Sequence, residues 1–172
     1  MIYVLIACEE SQIECIAFRN AGCEAYSCDI QECSSDYPQW HIVGDVTPLL
    51  DGKTSFVTQD GRCHSVPRWD LIIAHPPCTY ICKVSAVAYS RDPSRHAKMV
   101  DAVSFFHTCL NAHAKYVAVE NPLPMARAQL PKPTTYVQPF WFGSIFSKKT
   151  LLWLRNLPPL MPEVEREPLK QW

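Results

Sequence analysis

The chain has 172 residues and a mass of 19.6 kDa, which is enough for one domain and too little for two of ordinary size. Hydrophobic residues make up 48% and charged residues 19% of it, a composition that excludes intrinsic disorder and collagen-like repeats. The net charge of −1 argues against a protein that holds duplex DNA on a broad basic face, although it allows a local basic patch. We predict a single domain over residues 1–172.

Targeting and redox features are also informative. No apolar run reaches the roughly 18 residues that a membrane span needs. The opening MIYVLIACEE has no basic region and turns acidic at Glu9, so we expect no signal peptide. The nine cysteines contain no Cys-x-x-Cys pair, and without a signal peptide they indicate reduced thiols rather than disulfides or a zinc site. We therefore expect no membrane partner and no metal, with the cytoplasm as the default location.

The first elements alternate strand and helix, which is typical of an α/β fold with parallel strands. The apolar run 2–7 predicts a strand buried on both faces. Ser11 and Glu14 fit a capping box that begins a helix, and Gly22 stands where a helix-ending glycine belongs. Residues 24–29 predict a second strand that ends in an acid.

The middle of the chain continues this alternation with one insertion. Residues 30–43 are loop-rich, and 44–46 predict the end of a third short strand. Around 54–68, two short β-prone runs flank an Asp-Gly turn, which predicts an inserted β-hairpin. Residues 69–74 predict the next core strand, and an amphipathic pattern predicts a long helix over roughly 94–112.

The last third is rich in proline. Residues 115–119 predict another buried strand, whereas 123–142 are punctuated by proline and are expected to be irregular. Residues 150–154 predict a last strand, and the tail from Pro158 is expected to be a poorly ordered end. Together the elements predict an α/β domain in which helices flank a mostly parallel sheet.

Polar and nucleophilic side chains recur at the carboxyl ends of the predicted strands. In a parallel sheet these ends share one edge, and ligands bind outside that edge near the point where the strand order reverses. The pattern predicts an enzyme of the nucleotide-binding α/β type that acts on a small molecule. The side chains concerned are Glu9, Glu10, Asp29, Asp45, Cys78 and Glu120.

Three segments resemble motifs of the cytosine-C5 DNA methyltransferases, in the same order and at similar spacing. His-Pro-Pro-Cys at 75–78 resembles their Pro-Pro-Cys nucleophile motif, and Val-Glu-Asn-Pro at 119–122 resembles their Glu-Asn-Val motif. Residues 142–151 resemble their Gly…Gln-x-Arg-x-Arg segment, and 7–12 resemble a short branch of phage and prophage methylase-like proteins. The resemblance runs over about residues 2–160 and implies a Rossmann-like methyltransferase fold.

The resemblance also implies a reaction. Cys78 would add to C6 of cytosine, which makes C5 reactive toward a methyl donor. Glu120 would hold the base and donate a proton to N3 as C6 is attacked. Pro77 would stiffen the approach of the sulfur, Asn121 would fix the loop, and Lys148 would help to place the base carbonyl or a phosphate.

The implied cofactor is S-adenosylmethionine. By resemblance Asp29 would accept hydrogen bonds from the ribose hydroxyls, and Asp45 would contact the adenine amino group. The loop at 8–12 would lie beside the methionine part. The expected cofactor contacts are Cys8, Glu9, Glu10, Asp29, Asp45 and Pro76.

The substrate form stays open because the chain departs from the family pattern. Phe146 replaces the family's Gln, Thr150 replaces its second Arg, and no target-recognition segment follows. The substrate could be a free cytosine nucleotide, single-stranded DNA, or duplex DNA reached through a protein partner that supplies target recognition. Unpaired bases need no energy for extrusion from a duplex, which favours the first two.

Two other functions are compatible with the sequence. The first loop has no glycine, which favours a catalytically silent module that binds a nucleotide or a DNA base, or a partner subunit of another enzyme. A different one-carbon donor, as in folate-dependent pyrimidine methylation, would keep the thiol addition. At single positions, His75 is interpreted as a hydrogen-bonded residue beneath the loop, Lys148 and Lys149 suit a solvated pair as well as a substrate contact, and the aromatic stretch 136–141 suits packing more than base stacking.

Overall fold

The structure, a computed structural model, describes residues 1–92, 94–163 and 170–171. Within these residues there are eleven strands: β1 (Tyr3–Ala7), β2 (Glu24–Asp29), β3 (His41–Val43), β4 (Ser55–Val57), β5 (Cys63–Ser65), β6 (Leu71–Ala74), β7 (Tyr116–Pro122), β8 (Thr135–Val137), β9 (Phe146–Ser147), β10 (Thr150–Arg155) and β11 (Lys170–Gln171). The α-helices are α1 (Ile13–Asn20), α2 (Thr47–Leu50) and α3 (Arg95–Leu110), and short 3₁₀ helices cover Pro38–Trp40, Lys83–Ser90, Ala126–Ala128 and Pro139–Phe142.

Seven of these strands form the main sheet, in the order β3-β2-β1-β6-β7-β10-β8. The pairs from β3 to β7 are parallel, and β10 is antiparallel to both of its neighbours. The chain winds outward in one direction from β1 to β3 and then returns to β6 on the other side of β1. The reversal between β1 and β6 is the switch point at which doubly wound sheets bind ligands.

The two faces of the sheet are covered unequally. Along β1, Leu5 and Ala7 join the larger core with Phe106 of α3, whereas Val4 and Ile6 pack with Cys15 of α1. The alternation follows from the two-residue period of a strand, and it explains why this strand has no polar position. The larger core cluster covers the α3 face, whereas the α1 face is covered by a helix of eight residues.

Several sequence predictions are confirmed. The second strand spans residues 24–29 as predicted, the hairpin β4–β5 closes around the Asp60–Gly61 turn, and α3 lies inside the predicted range 94–112. Gly22 has a φ of +85°, the left-handed conformation that ends a helix, and its N–H donates to the carbonyl of Arg19 at 2.9 Å. The mixed α/β fold with a mostly parallel sheet is therefore the observed one.

The predicted capping box was wrong. Helix α1 begins at Ile13 rather than at Ser11, and Glu14 does not cap it. Glu9 caps the helix from outside it: its carboxylate accepts hydrogen bonds from the N–H groups of Glu14, at 2.6 Å, and Cys15, at 3.3 Å. A buried carboxylate satisfies these two donors and also complements the positive end of the helix dipole.

The strand boundaries near the predicted site also needed correction. The third strand ends at Val43, before the predicted 44–46, and β7 continues through Glu120 and Asn121 to Pro122 instead of ending before them. The reason is long-range pairing, since β10 lies antiparallel to β7 and reaches residue 122. The predicted irregular segment 123–142 contains β8, which β10 pairs with on its other edge.

The end of the chain is only partly described. Residues 158–163 have no regular structure, although the N–H of Glu163 donates to the carbonyl of Trp141 at 3.1 Å. The predicted poorly ordered tail includes residues 164–169, which lie outside the described residues, and β11 pairs in parallel with β9. Within the described ranges, no helix is long and apolar enough to cross a bilayer.

The cap on α1 gives a first testable prediction. Replacing Glu9 with alanine is expected to lower the free energy of unfolding by about 1–2 kcal/mol, because two backbone donors lose their acceptor. Urea unfolding at pH 7 would measure the loss, with Glu10→Ala as the control, expected within about 0.5 kcal/mol of wild type. Equal losses in the two variants would contradict the capping role.

Candidate active site

The segment after β6 carries the predicted nucleophile. The N–H of His75 donates to the carbonyl of Ala7 at 3.0 Å, which ties the start of the segment to the end of β1. Asn121 is fully buried, and its Nδ2 donates to the carbonyl of Pro76 at 3.0 Å, while its Oδ1 has no hydrogen-bond partner among the described residues. Pro77 is exposed and Cys78 is partly buried beyond it. The segment that carries Cys78 is thus fixed to both neighbouring strands.

Cys78 and Glu120 lie on different faces of the sheet. Cys78 packs against the core of the α3 face, whereas Glu120 alternates with the buried Val119 and lies on the α1 face. Burial raises the pKa of the Cys78 thiol above its ordinary value, and the charges of Cys82 and Glu120 raise it further. The two predicted catalytic residues therefore lie within electrostatic range of each other, and Cys78 is held as a thiol.

His75 lies between two carboxylates. Its Nδ1 is 3.3 Å from Oε2 of Glu120, and its Nε2 is 3.2 Å from Oε2 of Glu14 on α1. Burial acts to lower the pKa of His75, but the hydrogen bonds and charges of Glu120 and Glu14 outweigh it and raise the pKa to about 10. The ring is an imidazolium at neutral pH, and it fixes the position of Glu120.

Sequence reasoning assigned His75 no more than a hydrogen bond beneath the loop. The signal that could have found the pair is positional: His75 follows β6 directly, and β6 and β7 are adjacent parallel strands of a doubly wound sheet. Because Ala74 pairs with Val119, the residues that follow them, His75 and Glu120, are neighbours and point to the same face of the sheet. Glu14 could not be found this way, because its place depends on how α1 packs.

Cys82 is a second thiol that sequence reasoning did not connect with Cys78. It is buried just before the 3₁₀ helix Lys83–Ser90, and its sulfur lies 3.0 Å from the hydroxyl of Ser85. Burial acts to raise its pKa, but hydrogen bonds from the side chain and N–H of Ser85, from the thiol of Cys78 and from the N–H of Val84 outweigh it, so that the pKa of Cys82 is lowered. The pair therefore favours the anion on Cys82 and the proton on Cys78.

Three of the six predicted cofactor contacts, Cys8, Asp29 and Asp45, follow or end the strands β1, β2 and β3. Burial raises the pKa of Cys8 to about 12, and the charges of Asp29 and Asp45 add to the rise, so the three side chains lie within electrostatic range of one another. Asp29 is half-buried and accepts the N–H of Gln31 at 3.0 Å. Asp45 is exposed and accepts both the N–H and the hydroxyl of Thr47, which lower its pKa.

The first loop takes a glycine-like path without glycine. Cys8 has a φ of +62° and Gln12 a φ of +59°, both in the left-handed region that most residues avoid. The N–H groups of Cys8 and Glu9 both donate to the carbonyl of Cys28, at 2.7 and 3.2 Å, which holds the loop against β2. Glu9 is buried, and its carboxylate accepts hydrogen bonds from α1, while Glu10 is half-buried.

A buried polar network beneath this loop was not predicted. Gln12 is fully buried, its Nε2 donates to the hydroxyl of Ser27 at 3.1 Å, and its Oε1 accepts the hydroxyl of Ser35. Ser27 also lies 2.8 Å from Nδ1 of His41, whose Nε2 is 2.9 Å from the carbonyl of Gln31. The network links the loop at 8–12 to the loop after β2, and such satisfied buried groups fix a single arrangement. No spacing in the sequence signals it.

A groove of about 750 Å³ runs along the uncovered part of the α1 face. Its polar end holds His75, Glu120, Glu14 and the exposed Lys148. The rest is apolar, and its floor is formed by residues of β6, β7 and β10, namely Leu71, Ile73, Ala118, Leu152 and Leu154. Lys148 and Glu120 both line the groove, although no contact joins Lys148 to the carboxylate among the described residues.

Comparison with known proteins supports the fold. No family model matches the chain, and no curated protein matches it. Among solved structures it is similar to the crystal structure of a candidate DNA modification methyltransferase encoded within an E. coli prophage, with a TM-score of 0.53 and 14% sequence identity. The match covers 90% of this chain and 46% of the other, so the chain spans about half the length of that protein. The chain thus has an α/β fold of the kind found in a methyltransferase-like structure.

Proposed function

We propose that the chain is an S-adenosylmethionine-dependent methyltransferase that acts on C5 of cytosine in DNA or in a cytosine nucleotide. The observation that carries the proposal is the hydrogen bond from Asn121 to the carbonyl of Pro76, which joins the Pro-Pro-Cys segment to the Glu-Asn strand. This hydrogen bond connects the segment of Cys78 to the strand of Glu120 at the carboxyl edge of the sheet. The fold is similar to that of a solved structure described as a candidate DNA modification methyltransferase.

The residues present fit the methyl donor. The ribose hydroxyls and the adenine amino group of S-adenosylmethionine are hydrogen-bond donors, and the edge at β1–β2 offers the carboxylates of Asp29 and Asp45 within electrostatic range of the same thiol. The left-handed backbone at Cys8 bends the first loop around this edge. The donor would supply the methyl group that C5 receives.

The protein's own groups carry the remaining steps. The thiol of Cys78 gives its proton to solvent and the sulfur forms a bond to C6, while a proton passes from Glu120 to N3, so that C5 gains the character of an enamine. After C5 has been methylated, its proton goes to solvent, the C6–S bond breaks to release the thiolate, and N3 returns its proton to Glu120. Because the charge of Glu120 raises the pKa of Cys78, the thiolate forms more easily while Glu120 carries the proton that it passes to N3.

His75 is a positioning residue in this scheme. The imidazolium holds Oε2 of Glu120 at 3.3 Å and is itself held by Glu14, so the carboxyl group has a fixed direction at the end of the groove. A cation beside Glu120 also stabilises the carboxylate that remains after its proton has moved to N3.

The experiment that tests the proposal measures covalent capture and donor binding separately. Incubation with the labelled donor and a panel of single-stranded DNA, duplex DNA and cytosine nucleotides should give a methylated product at C5. With a 5-fluorocytosine substrate, the covalent adduct should accumulate on Cys78, because the fluorine cannot leave as a proton does. No adduct and no product across the panel would overturn the proposal.

Donor binding makes a further prediction for Asp29. The variant Asp29→Ala is expected to weaken binding of S-adenosylmethionine by about tenfold or more, since a charged acceptor of the ribose hydroxyls is lost. Isothermal titration calorimetry would measure it, with Asp36→Ala as the control, because Asp36 is an exposed acid in the loop after β2. Equal affinities of the Asp29 variant and wild type would place the donor elsewhere.

A second function has one observation in its favour. Because burial and neighbouring charges hold Cys78 as a thiol, the fold could serve as a silent module that binds a nucleotide or a base. This alternative predicts nucleotide binding that Cys78→Ser leaves unchanged, with no methyl transfer from any one-carbon donor, folates included. Formation of the covalent adduct would exclude it.

A further inference from the structure

A cluster of cations and aromatic rings borders the Cys78 segment on the side away from the groove. We call it the basic patch. Its centre is formed by Tyr80, Tyr89, Arg95, Lys98 and Arg127, which contact one another, and Lys83 and Arg91 lie at the two ends of the 3₁₀ helix that carries Tyr89. Its members come from the segment after Cys78, from the start of α3 and from the 3₁₀ helix Ala126–Ala128. The site described above does not use it.

Contacts with aromatic rings position three of the five cations. The guanidinium of Arg95 lies 4.7 Å from the ring centre of Tyr80 and 5.3 Å from that of Tyr89. Lys98 lies 5.6 Å from the ring of Tyr80, and Arg127 lies 5.2 Å from the ring of Tyr89. A cation over an aromatic face keeps its N–H groups at the edge available to a ligand while its position is fixed.

Hydrogen bonds attach the basic patch to the Cys78 segment. Nη2 of Arg95 donates to the carbonyl of Thr79, the residue next to Cys78, at 3.0 Å. The hydroxyl of Tyr89 donates to the carbonyl of Tyr80. The N–H of Met125 donates to the carbonyl of Ile81 at 2.8 Å, which brings the segment of Arg127 alongside. Arg95 is therefore attached directly to the segment that carries Cys78, and the segment of Arg127 lies beside it.

The charge of the basic patch is not neutralised within the protein. Lys83, Arg91, Lys98 and Arg127 are exposed, and none of the five cations forms an ion pair with a carboxylate in the described part of the chain. Two acids lie nearby. Asp92 accepts hydrogen bonds from Ser94, and these bonds together with the charges of Lys98 and Arg95 lower its pKa. Asp101 lines the same cleft as Lys98. Five cations against two acids leave a positive surface on a chain whose net charge is −1.

We propose that the basic patch binds the phosphates of a single DNA strand and holds that strand with one base beside Cys78. The identity of the strand as DNA rests on the proposed function. Fixed arginines and lysines neutralise phosphates without reading sequence, and a patch of five cations suits a few nucleotides rather than the two backbones of a duplex. A single strand also presents its bases unpaired, so that no extrusion energy is needed.

The experiment compares charge reversals inside the basic patch with one outside it. Binding of a fluorescein-labelled single-stranded DNA 15-mer that contains cytosine would be measured by fluorescence anisotropy at several salt concentrations. The test variant is Lys98→Glu with Arg127→Glu, which spares Arg95 and its bond to the loop. The control is Lys115→Glu, since Lys115 also lies over a tyrosine ring, at 4.8 Å from Tyr116, but at the opposite end of β7.

We expect wild type to bind more weakly as salt rises, and the double variant to bind at least about tenfold more weakly, with a salt slope smaller by about 1.4 for two lost phosphate contacts. Lys115→Glu should bind within about twofold of wild type. Binding by the double variant equal to that of wild type, or tighter binding of a duplex or an RNA 15-mer, would overturn the proposal.

The outcome separates the basic patch from the proposed function. Calorimetric binding of S-adenosylmethionine and the thermal midpoint of the double variant should match wild type, which excludes a folding defect. If the double variant does not fold, Lys98→Gln and Arg127→Gln provide the same comparison with smaller expected losses. Loss of strand binding with methyl transfer to a free cytosine nucleotide retained supports both proposals, whereas salt-dependent strand binding without methyl transfer to any substrate supports the basic patch alone.

Discussion

Replacing Cys78 with serine is expected to lower the rate of methyl transfer by at least about a thousandfold, because the hydroxyl cannot supply the anion that attacks C6. The affinity for S-adenosylmethionine should stay nearly unchanged, since the predicted donor contacts lie at the ends of β1 and β2. Single-turnover assays with labelled donor would measure the rate, and calorimetry would measure the affinity.

Two other cysteines provide matched controls. Cys63→Ser, on the exposed edge of the hairpin, should leave the rate unchanged. Cys82→Ser should keep activity and shift the pH–rate profile to lower pH, because the charge of Cys82 raises the pKa of Cys78. A Cys78→Ser variant as active as Cys63→Ser would show that the sulfur of Cys78 does not form the covalent bond.

Protein stability is expected to fall as pH rises from about 6.5 to about 10, because of His75. Its pKa is about 10 in the folded protein and 6.5 as an ordinary histidine, so the native state binds more protons throughout this range. The stabilisation is fully present below pH 6.5 and is lost as pH rises through the folded pKa, at up to about 1.4 kcal/mol per pH unit. Urea unfolding at several pH values between 6.5 and 8.5 would measure the slope.

The range is chosen to isolate the histidine. Above pH 9 the buried thiols Cys8 and Cys28, with pKa values of about 12 in the folded protein, add a loss of their own as they ionise in the unfolded chain. His75→Gln should flatten the slope, whereas His107→Gln, on the exposed side of α3, should retain it. A slope that persists in His75→Gln would contradict the ion pairs with Glu14 and Glu120.

The fold could be predicted from sequence wherever a local pattern matches the final environment. Residues 24–29 are buried along almost their whole length, and the Asp60–Gly61 turn closes its hairpin through local geometry alone. Fold class follows from the order of such elements. The predictions that failed concern elements whose partners are distant in sequence. The end of β7 is an example, because it is fixed by pairing with β10, about thirty residues further along the chain.

The candidate site divides in the same way. The convergence of Asp29, Asp45 and Cys8 follows from the common edge of parallel strands, which sequence order already implies. The contacts that each side chain makes at this edge could not be predicted, because they depend on how the helices pack. Glu9 accepts hydrogen bonds from α1, and His75 forms an ion pair with Glu14 of the same helix. Hydrogen-bond partners at this level leave no periodic trace in a sequence.

The position of β10 has a consequence for synthesis on the ribosome. This strand lies between β7 and β8, both of which precede it in the chain, so neither can complete its pairing until residues 150–155 have left the exit tunnel. Until then the nascent protein exposes an unpaired strand edge at Glu120 and Asn121, where it could join another chain. The end of β7 that carries Glu120 and Asn121 therefore gains its second neighbour only after residues 150–155 have been synthesised.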